Sequence, residues 1–309
     1  LQAAQPVLLA HHWLAYANML QRDWQRLTEW LQHVDISPLG AGALSGTPYP
    51  TDPRRSAELL GFSAVYANSM DAVSDRDFLL EFLFWASAVM VHLSRLAEEM
   101  VLWSSYEFGF VTMSDAYSTG SSIMPQKRNP DVAEILRGKS GRVFGHLSGL
   151  LTVMKGLPLA YHSDMQEDKE AVFDVVDTME KVLAVTTGMM ASVKVNRNRI
   201  ASRLGKDYTA ATDIADKLVE QGLPFRSAHH LVGKLVADLE RDQLGFDQAT
   251  AAYLKEHAPE ISEAWLKELT PAALVARRQQ PFATAPQSVQ AALKSWQQWF
   301  SSHPTDDAR

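Results

Sequence analysis

The long apolar seam near the start of the chain constrains the fold most. Residues 6–34 contain no internal glycine or proline. Large apolar residues recur there at alternating steps of three and four: Leu9, Trp13, Tyr16, Leu20, Trp24, Leu27 and Leu31. This spacing predicts an amphipathic helix with Pro6 in its first turn. Such a helix would span roughly 43 Å at about 1.5 Å per residue, which favours a bundle of long helices.

Three further long helices are predicted in the first two thirds of the chain. Residues 78–103 are apolar on nearly every face over their first half, which indicates a helix enclosed by neighbours. Residues 130–155 and 167–195 complete the set. The first of these two carries four glycines on one face, where another helix could approach closely: Gly138, Gly141, Gly145 and Gly149.

The pattern changes at residues 202–207, after which glycines and prolines separate shorter helical stretches. We therefore predict a central long-helix bundle domain of residues 1–204 and a smaller helical C-terminal domain of residues 205–309. No alternating strand pattern of useful length is present, so the predicted fold class is all-α.

The composition excludes several classes of function. The 309 residues include no cysteine, which rules out disulfides, thiolate zinc sites and a cysteine nucleophile. The formal charge of −7 gives no sign of the broad basic surface that nucleic-acid binding needs. The longest apolar run, residues 82–91, is shorter than the about 20 residues that span a bilayer. We expect a cytoplasmic protein without a membrane segment, in which an anionic ligand meets a local basic site.

The segment 119–134, TGSSIMPQKRNPDVAE, carries the clearest chemistry. It joins a Gly-Ser-Ser stretch to two adjacent cations, Lys127 and Arg128. Asn129 is a natural N-cap and Pro130 suits the first helical position, which predicts a helix start. The free amides of that helix beside Lys127 would suit a carboxylate or a phosphate. From these residues alone, an ordinary surface loop before a capped helix stays an open interpretation, and composition does not decide between the two.

The motif GSSIMPQKRNP resembles the signature of the fumarase/aspartase lyase superfamily, whose members release fumarate. Within it, Gln126 and the segments SMDAVSDRDF, LPLAYHSDMQEDKE and GLPFRSAHHLVG resemble the argininosuccinate lyases, over essentially the whole chain. The resemblance implies that argininosuccinate is split into fumarate and arginine. It also implies a homotetramer whose active sites are shared between subunits.

The resemblance implies a role for each matching residue of the motif. Ser121 would be the base that removes the proton next to a carboxylate, although chemistry alone does not separate it from Ser122. Lys127 and Asn129 would hold the substrate carboxylate and stabilise the dianionic aci-carboxylate that forms. Glu134 would orient and polarise a catalytic histidine of another subunit, whereas without the motif it would be a solvated helical carboxylate.

Six matching positions would contact the substrate: Ser122, Gln126, Asn129, Tyr161, Gln166 and Lys169. Lys169 would pair with a substrate carboxylate; the alternative is a plain surface lysine. At His162 and Ser163 the chain departs from the family, which usually has an asparagine and a basic residue there. That departure weakens or alters local contacts without implying inactivity.

The start of the chain departs further from the family pattern. The family carries a T-H-L-Q segment, whose histidine is the general acid that protonates the leaving nitrogen. This chain begins at the leucine of that segment, Leu1. We therefore expect the general acid and the N-terminal domain to be absent from the chain.

No cofactor and no metal are predicted. The sequence has no glycine-rich phosphate loop of the nucleotide type, and the paired histidines are adjacent rather than four residues apart. Two other functions stay open. One is another fumarate-releasing lyase, such as adenylosuccinate lyase or fumarase; the other is a non-catalytic structural homologue in the manner of the lens crystallins.

Overall fold

Helices make up most of the structure, a computed structural model that describes residues 2–205 and 207–303. The helices are α1 (Leu9–Val34), α2 (Pro53–Leu60), α3 (Ser69–Ser74), α4 (Asp77–Ser104), α5 (Asp131–Met154), α6 (Asp168–Ser192), α7 (Arg197–Ala201), α8 (Ala211–Glu220), α9 (Phe225–Arg241), α10 (Ala251–His257), α11 (Glu263–Glu268), α12 (Pro271–Ala276) and α13 (Pro286–Ser302). Short 3-10 helices cover Asp115–Tyr117, Ser163–Glu167 and Phe246–Gln248.

Three pairs of two-residue strands close loops between the helices. The strands are β1 (Ile36–Ser37), β2 (Ala64–Val65), β3 (Val111–Thr112), β4 (Thr119–Gly120), β5 (Arg128–Asn129) and β6 (Lys194–Val195). β1 pairs with β2 in parallel, whereas β3 with β6 and β4 with β5 are antiparallel. These pairs are too short to form a sheet layer, so the predicted all-α fold class is confirmed.

All four predicted long helices are present, as α1, α4, α5 and α6, and the predicted bounds agree with the observed ones to within a few residues. The prediction for Pro6 was wrong, because α1 begins only at Leu9. The backbone before it is engaged elsewhere: the N–H of Leu8 donates to Oγ1 of Thr284 at 2.8 Å.

The chain divides into two compact units. The bundle unit comprises residues 16–196, and the C-terminal unit comprises the described residues of 1–15 and 197–309. The units part at residues 196 and 197, a few residues before the predicted boundary at 204. Two residues that bear on the predictions lie outside the described ranges, Leu1 and, within the boundary segment, Lys206.

In the bundle unit, α5 runs antiparallel to both α4 and α6. Arg137 of α5 pairs with Glu98 of α4, and Nε of Arg142 on α5 lies 2.6 Å from Asp174 of α6. In the first pair an early residue of α5 meets a late residue of α4. In the second, a residue midway along α5 meets an early residue of α6. The end of α5 therefore lies beside the starts of α4 and α6.

Helix α4 provides much of the core of the bundle unit. Leu83, Met90 and Met100 are fully buried. The prediction that neighbours enclose α4 was wrong for the single chain, because Phe84 is 58% exposed and Val91 is 43% exposed. Its neighbours in the chain cover only part of its circumference. By length and composition alone α4 could also cross a membrane, a test that core helices of water-soluble proteins pass too.

Two predicted contact faces are open in the single chain. Along the seam of α1, Tyr16 is buried, but Trp24 is 46% exposed and Leu31 is 53% exposed. The glycine face of α5 is also uncovered: at all four positions an added Cβ would meet no described atom within 4 Å outside the helix's own backbone. The chain alone therefore does not bury the surfaces that its sequence marks as apolar or small.

The C-terminal unit has a separate core. Helices α8 and α9 form a hairpin around buried Ile214, Leu218 and Leu235. Hydroxyl N-caps begin three of the shorter helices that follow: Thr250 for α10, Ser262 for α11 and Thr270 for α12. These caps supply partners for the first amides of helices that are too short to be stable alone.

Candidate active site

A short hairpin presents residues 119–129, the first part of the segment 119–134 that was predicted to carry the chemistry; these residues are here called the serine loop. Strand β4 pairs with β5 so that Thr119 faces Asn129 and Gly120 faces Arg128. Beyond the strands, the backbone N–H of Ser121 donates to the carbonyl oxygen of Lys127 at 3.2 Å. The main chain thus brings Ser121 next to Lys127 and joins both directly to the start of α5.

The hydroxyl of Ser121 accepts two main-chain hydrogen bonds. The donors are the N–H groups of Ile123, at 3.2 Å, and Met124, at 3.0 Å. Such donors stabilise negative charge on an oxygen, so they favour the alkoxide form of this hydroxyl. The side chain of Ser122 has no such bonds among the described residues. The geometry therefore distinguishes two serines that the sequence chemistry could not.

Most of the serine loop is exposed. Residues 122–128, which include Gln126, all lie at the surface, and Ile123 is 87% exposed. Of the two adjacent cations, Arg128 pairs with Asp115, whereas the Lys127 ammonium has no ion pair or hydrogen bond within the described ranges. Lys127 is therefore the cation of this loop that is available to an anionic ligand.

Helix α5 begins one residue later than predicted, at Asp131, with Pro130 in the N-cap position and no side-chain cap. The prediction that Asn129 caps the helix was wrong, because Asn129 belongs to β5 and pairs with Thr119. The side-chain amide of Asn129 is thus left for another partner. Glu134, also predicted to act here, lies in the first turn with its side chain exposed.

The remaining predicted binding residues lie between the end of α5 and the first turn of α6, in a segment here called the lysine corner (residues 160–169). Tyr161 is 47% exposed, Gln166 is exposed in the 3-10 helix, and Lys169 lies in the first turn of α6. The backbone turns sharply just before Tyr161, where Ala160 has a φ of 75°. The three predicted binding residues thus lie within nine positions of the chain, at the turn that leads from α5 into α6.

A buried ion pair fixes the lysine corner to the start of α4. Asp168 is 2% exposed, and its carboxylate accepts hydrogen bonds from Nε of Arg76 at 2.6 Å and from Nζ of Lys169 at 2.7 Å. Arg76 is the residue just before α4. Lys169 is therefore not the unpaired surface lysine of the alternative interpretation.

Within one chain, the structure does not bring the serine loop and the lysine corner together. The serine loop precedes α5, and the lysine corner follows it. Helix α5 has 24 residues and is about 36 Å long at 1.5 Å per residue. A small-molecule substrate cannot contact both groups of one chain.

Comparisons with known proteins agree with the motif. A family profile described as "Lyase" matches residues 1–145, and one described as "Argininosuccinate lyase C-terminal" matches residues 208–276. An argininosuccinate lyase of Desulfovibrio desulfuricans is 52% identical over 97% of this chain and 65% of its own length. One from Symbiobacterium thermophilum is 62% identical over 76% of this chain and 51% of its own length.

This chain belongs to the argininosuccinate lyase family. It spans about half to two thirds of the length of these curated relatives. Among solved structures, the crystal structure of EDDS lyase in complex with formate matches with a TM-score of 0.86 and 27% identity. That match covers 97% of this chain and 61% of the EDDS lyase chain.

Two residues of the candidate site, Arg76 and Asp168, were not predicted from the sequence. Both lie inside segments that carried the resemblance, SMDAVSDRDF and LPLAYHSDMQEDKE. A charged residue in either segment looks like any solvated charge, and the sequence gives no sign that Asp168 is buried. In the sequence, only the adjacency of Asp168 to Lys169 could have pointed to Asp168. Its second partner, Arg76, is brought to it by the packing of α4 against α6.

No three His, Asp or Glu side chains in the described ranges are grouped to hold a metal ion. His162 has a buried Nε2 without a hydrogen-bond partner among the described residues. His162 stands at one of the two positions where this chain departs from the family pattern. The absence of a cofactor and of a metal stays a prediction.

Proposed function

We propose that the protein containing this chain is an argininosuccinate lyase, which splits argininosuccinate into fumarate and arginine in arginine biosynthesis. The observation that carries the proposal is the 52% identity to a curated argininosuccinate lyase over 97% of the chain. The residues of the serine loop and of the lysine corner lie within that match. The proposal includes a cytoplasmic location and catalysis without a cofactor.

In this reaction, Ser121 accepts a proton from the carbon next to a substrate carboxylate. A serine hydroxyl is a weak base at neutral pH, so its anionic form needs local stabilisation. The N–H donors of Ile123 and Met124 supply part of it, and the charge of Lys127, whose main chain lies beside that of Ser121, would add to it. Closure of the exposed loop over substrate would exclude water and strengthen these interactions.

Lys127, Asn129 and the uncapped amides of α5 would bind the substrate carboxylate that becomes the aci-carboxylate. Their donors and positive charge are in place before reaction, which is the condition for stabilising a transient dianion. Collapse of this intermediate forms the double bond of fumarate and breaks the C–N bond, and the leaving nitrogen takes a proton. Following the family pattern, a histidine donates that proton and Glu134 of another copy polarises it.

The lysine corner would bind the amino-acid end of the substrate through Tyr161, Gln166 and Lys169. Since α5 separates this corner from the serine loop of the same chain, we propose that one site draws them from different copies. The uncovered faces of α1, α4 and α5 support assembly, because exposed apolar helix faces of this extent favour association. The proposed assembly is a homotetramer.

The direct test is fumarate release by the purified protein, at the full length its gene encodes, from argininosuccinate, adenylosuccinate and malate in parallel. We expect turnover of argininosuccinate alone. Turnover of one of the other substrates in its place would assign a different lyase activity. A folded protein that is inactive on all three would favour the crystallin-like alternative.

A further inference from the structure

A buried carboxylate joins two cations at the start of α6. Asp168 has a side chain that is 3% exposed, and it receives Nε of Arg76 on one oxygen and Nζ of Lys169 on the other. An ionised carboxylate is stable in such a place only with charged or hydrogen-bonding partners. Both cations are therefore tied to the same buried group, although only Lys169 has been predicted to bind substrate.

Arg76 is the more firmly held of the two cations. Its Nη1 also donates to the carbonyl oxygens of Asp75, at 2.6 Å, and Val73, at 3.5 Å. The side chain of Arg76 is 15% exposed, whereas that of Lys169 is 58% exposed. Arg76 is thus fixed within the protein, while the Lys169 ammonium faces solvent with N–H donors to spare.

The two cations share the attraction of one carboxylate. While Arg76 is present, Asp168 has a charged partner on each oxygen. If the guanidinium is removed, Lys169 becomes the one cation within hydrogen-bonding distance of Asp168 in the described part of the chain. The buried negative charge then holds the ammonium more tightly, because attraction between charges is strong where water is excluded.

We propose that Arg76 is a positioning residue, which acts through Asp168 to keep the Lys169 ammonium available to a substrate carboxylate. The inference rests on the proposed function of Lys169 in binding argininosuccinate. Arg76 does not touch the substrate in this account. Its effect should therefore appear in substrate binding and in the state of Lys169, rather than in the chemical step.

The kinetic test compares Arg76→Gln and Arg76→Lys with a matched control, Arg142→Gln. Arg142 also pairs with an aspartate of α6, but its side chain is 53% exposed and that aspartate, Asp174, lies six positions after Asp168 and outside the lysine corner. For Arg76→Gln we expect the KM for argininosuccinate to rise about tenfold and kcat to change less than about threefold. Arg76→Lys should restore part of the affinity, since a cation remains near Asp168. The control should leave KM unchanged.

A second measurement needs no substrate. An amine-acylating reagent labels exposed lysines, and peptide mass spectrometry reports the rate at Lys169. Loss of Arg76 should slow labelling of Lys169 severalfold, because the ammonium is drawn onto Asp168. Lys181, also in α6 and with a side chain that is 72% exposed, serves as an internal reference whose labelling should not change. Circular dichroism identifies any variant that has not folded, in which case Arg76→Lys takes the place of Arg76→Gln.

The outcomes separate the two proposals. An unchanged KM and an unchanged labelling rate in a folded variant would overturn the role of Arg76. So would an equal rise in KM in Arg142→Gln, which would indicate a general loss of stability. If the wild-type protein does not cleave argininosuccinate but Lys169 labelling still depends on Arg76, the proposed function fails and the positioning contact stands.

Discussion

The two ends of α5 are built in different ways. At its start, the serine loop is held by main-chain hydrogen bonds and a two-residue strand pair, and its side chains are mostly exposed. Beyond its end, the lysine corner is anchored by the buried Asp168, which is tied to Arg76 at the start of α4. One end is therefore free to rearrange, and the other is fixed to the core.

The difference matches the work proposed for each end. A base that needs a charged environment from which water is excluded benefits from a loop that closes over its substrate. Residues that hold a constant part of the substrate benefit from a rigid support. Changes at the serine loop should therefore lower the chemical rate, and changes at the lysine corner should weaken binding.

The largest effect is expected for Ser121→Ala. Removing the base should lower kcat for fumarate release by about three orders of magnitude, with a small change in KM. Ser122→Ala is the matched comparison: as a predicted substrate contact Ser122 should affect KM, but its hydroxyl has no main-chain donors in the described part of the chain, so kcat should fall far less than in Ser121→Ala. Near-normal turnover by folded Ser121→Ala would remove Ser121 from the role of base.

A somewhat smaller loss is expected for Lys127→Gln. The ammonium stabilises a charge that grows during the reaction, so kcat should fall by about two orders of magnitude, and kcat/KM by at least as much. Arg128→Gln in the same loop is the control, since Arg128 already pairs with Asp115. Equal losses in the two variants would indicate that the loop needs general positive charge rather than Lys127.

At the other end, Lys169→Gln should act on binding. We expect KM for argininosuccinate to rise about tenfold to a hundredfold, while kcat falls much less, because the contact is made equally in the ground state and in the transition state. Steady-state kinetics over a wide range of substrate concentration measures both. A loss in kcat alone would place Lys169 in the chemical step and remove the contrast between the two ends.

The smallest effect is expected midway along α5, at the exposed pair of Arg142 and Asp174. The hydrogen bond from Arg142 is the main cause that lowers the pKa of Asp174, with a further contribution from His146. A lowered folded-state pKa stabilises the fold above the ordinary carboxyl pKa of about 3.9, and that gain is lost as the pH falls through the folded value. Arg142→Gln should cost about 0.5 kcal/mol at pH 7. The free energy of unfolding, measured with denaturant, should differ less between wild type and variant as the pH falls towards 3. A difference that does not depend on pH would contradict this cause.

Much of the fold could be predicted because the long helices follow local patterns. The periodic seam of α1 and the absence of glycine and proline from α4 give the positions of these two helices to within a few residues. The start of α5 could not be placed as well, because pairing of Asn129 with Thr119 competes with helix capping. Helix N-cap preference is a local property, whereas that strand pair joins residues ten positions apart.

The candidate site was less predictable from the residues alone. The resemblance supplied the positions, but the choice between Ser121 and Ser122 is supported by main-chain donors that the sequence does not reveal. Arg76 and Asp168 are 92 positions apart in the chain, and their pairing depends on the packing of the start of α4 against the start of α6. The separation of the two ends by α5 follows from helix length, which the sequence did predict.

The most direct test of the account is to combine two variants in one assembly, each altered at a different end of α5. Ser121→Ala and Lys169→Gln are expressed separately and together, and fumarate release is measured at low argininosuccinate concentration. If each site combines the serine loop of one copy with the lysine corner of another, mixed assemblies contain some sites with both residues intact. The account predicts activity well above that of either variant alone. Activity equal to the mean of the two variants, in assemblies verified to contain both chains, would contradict it.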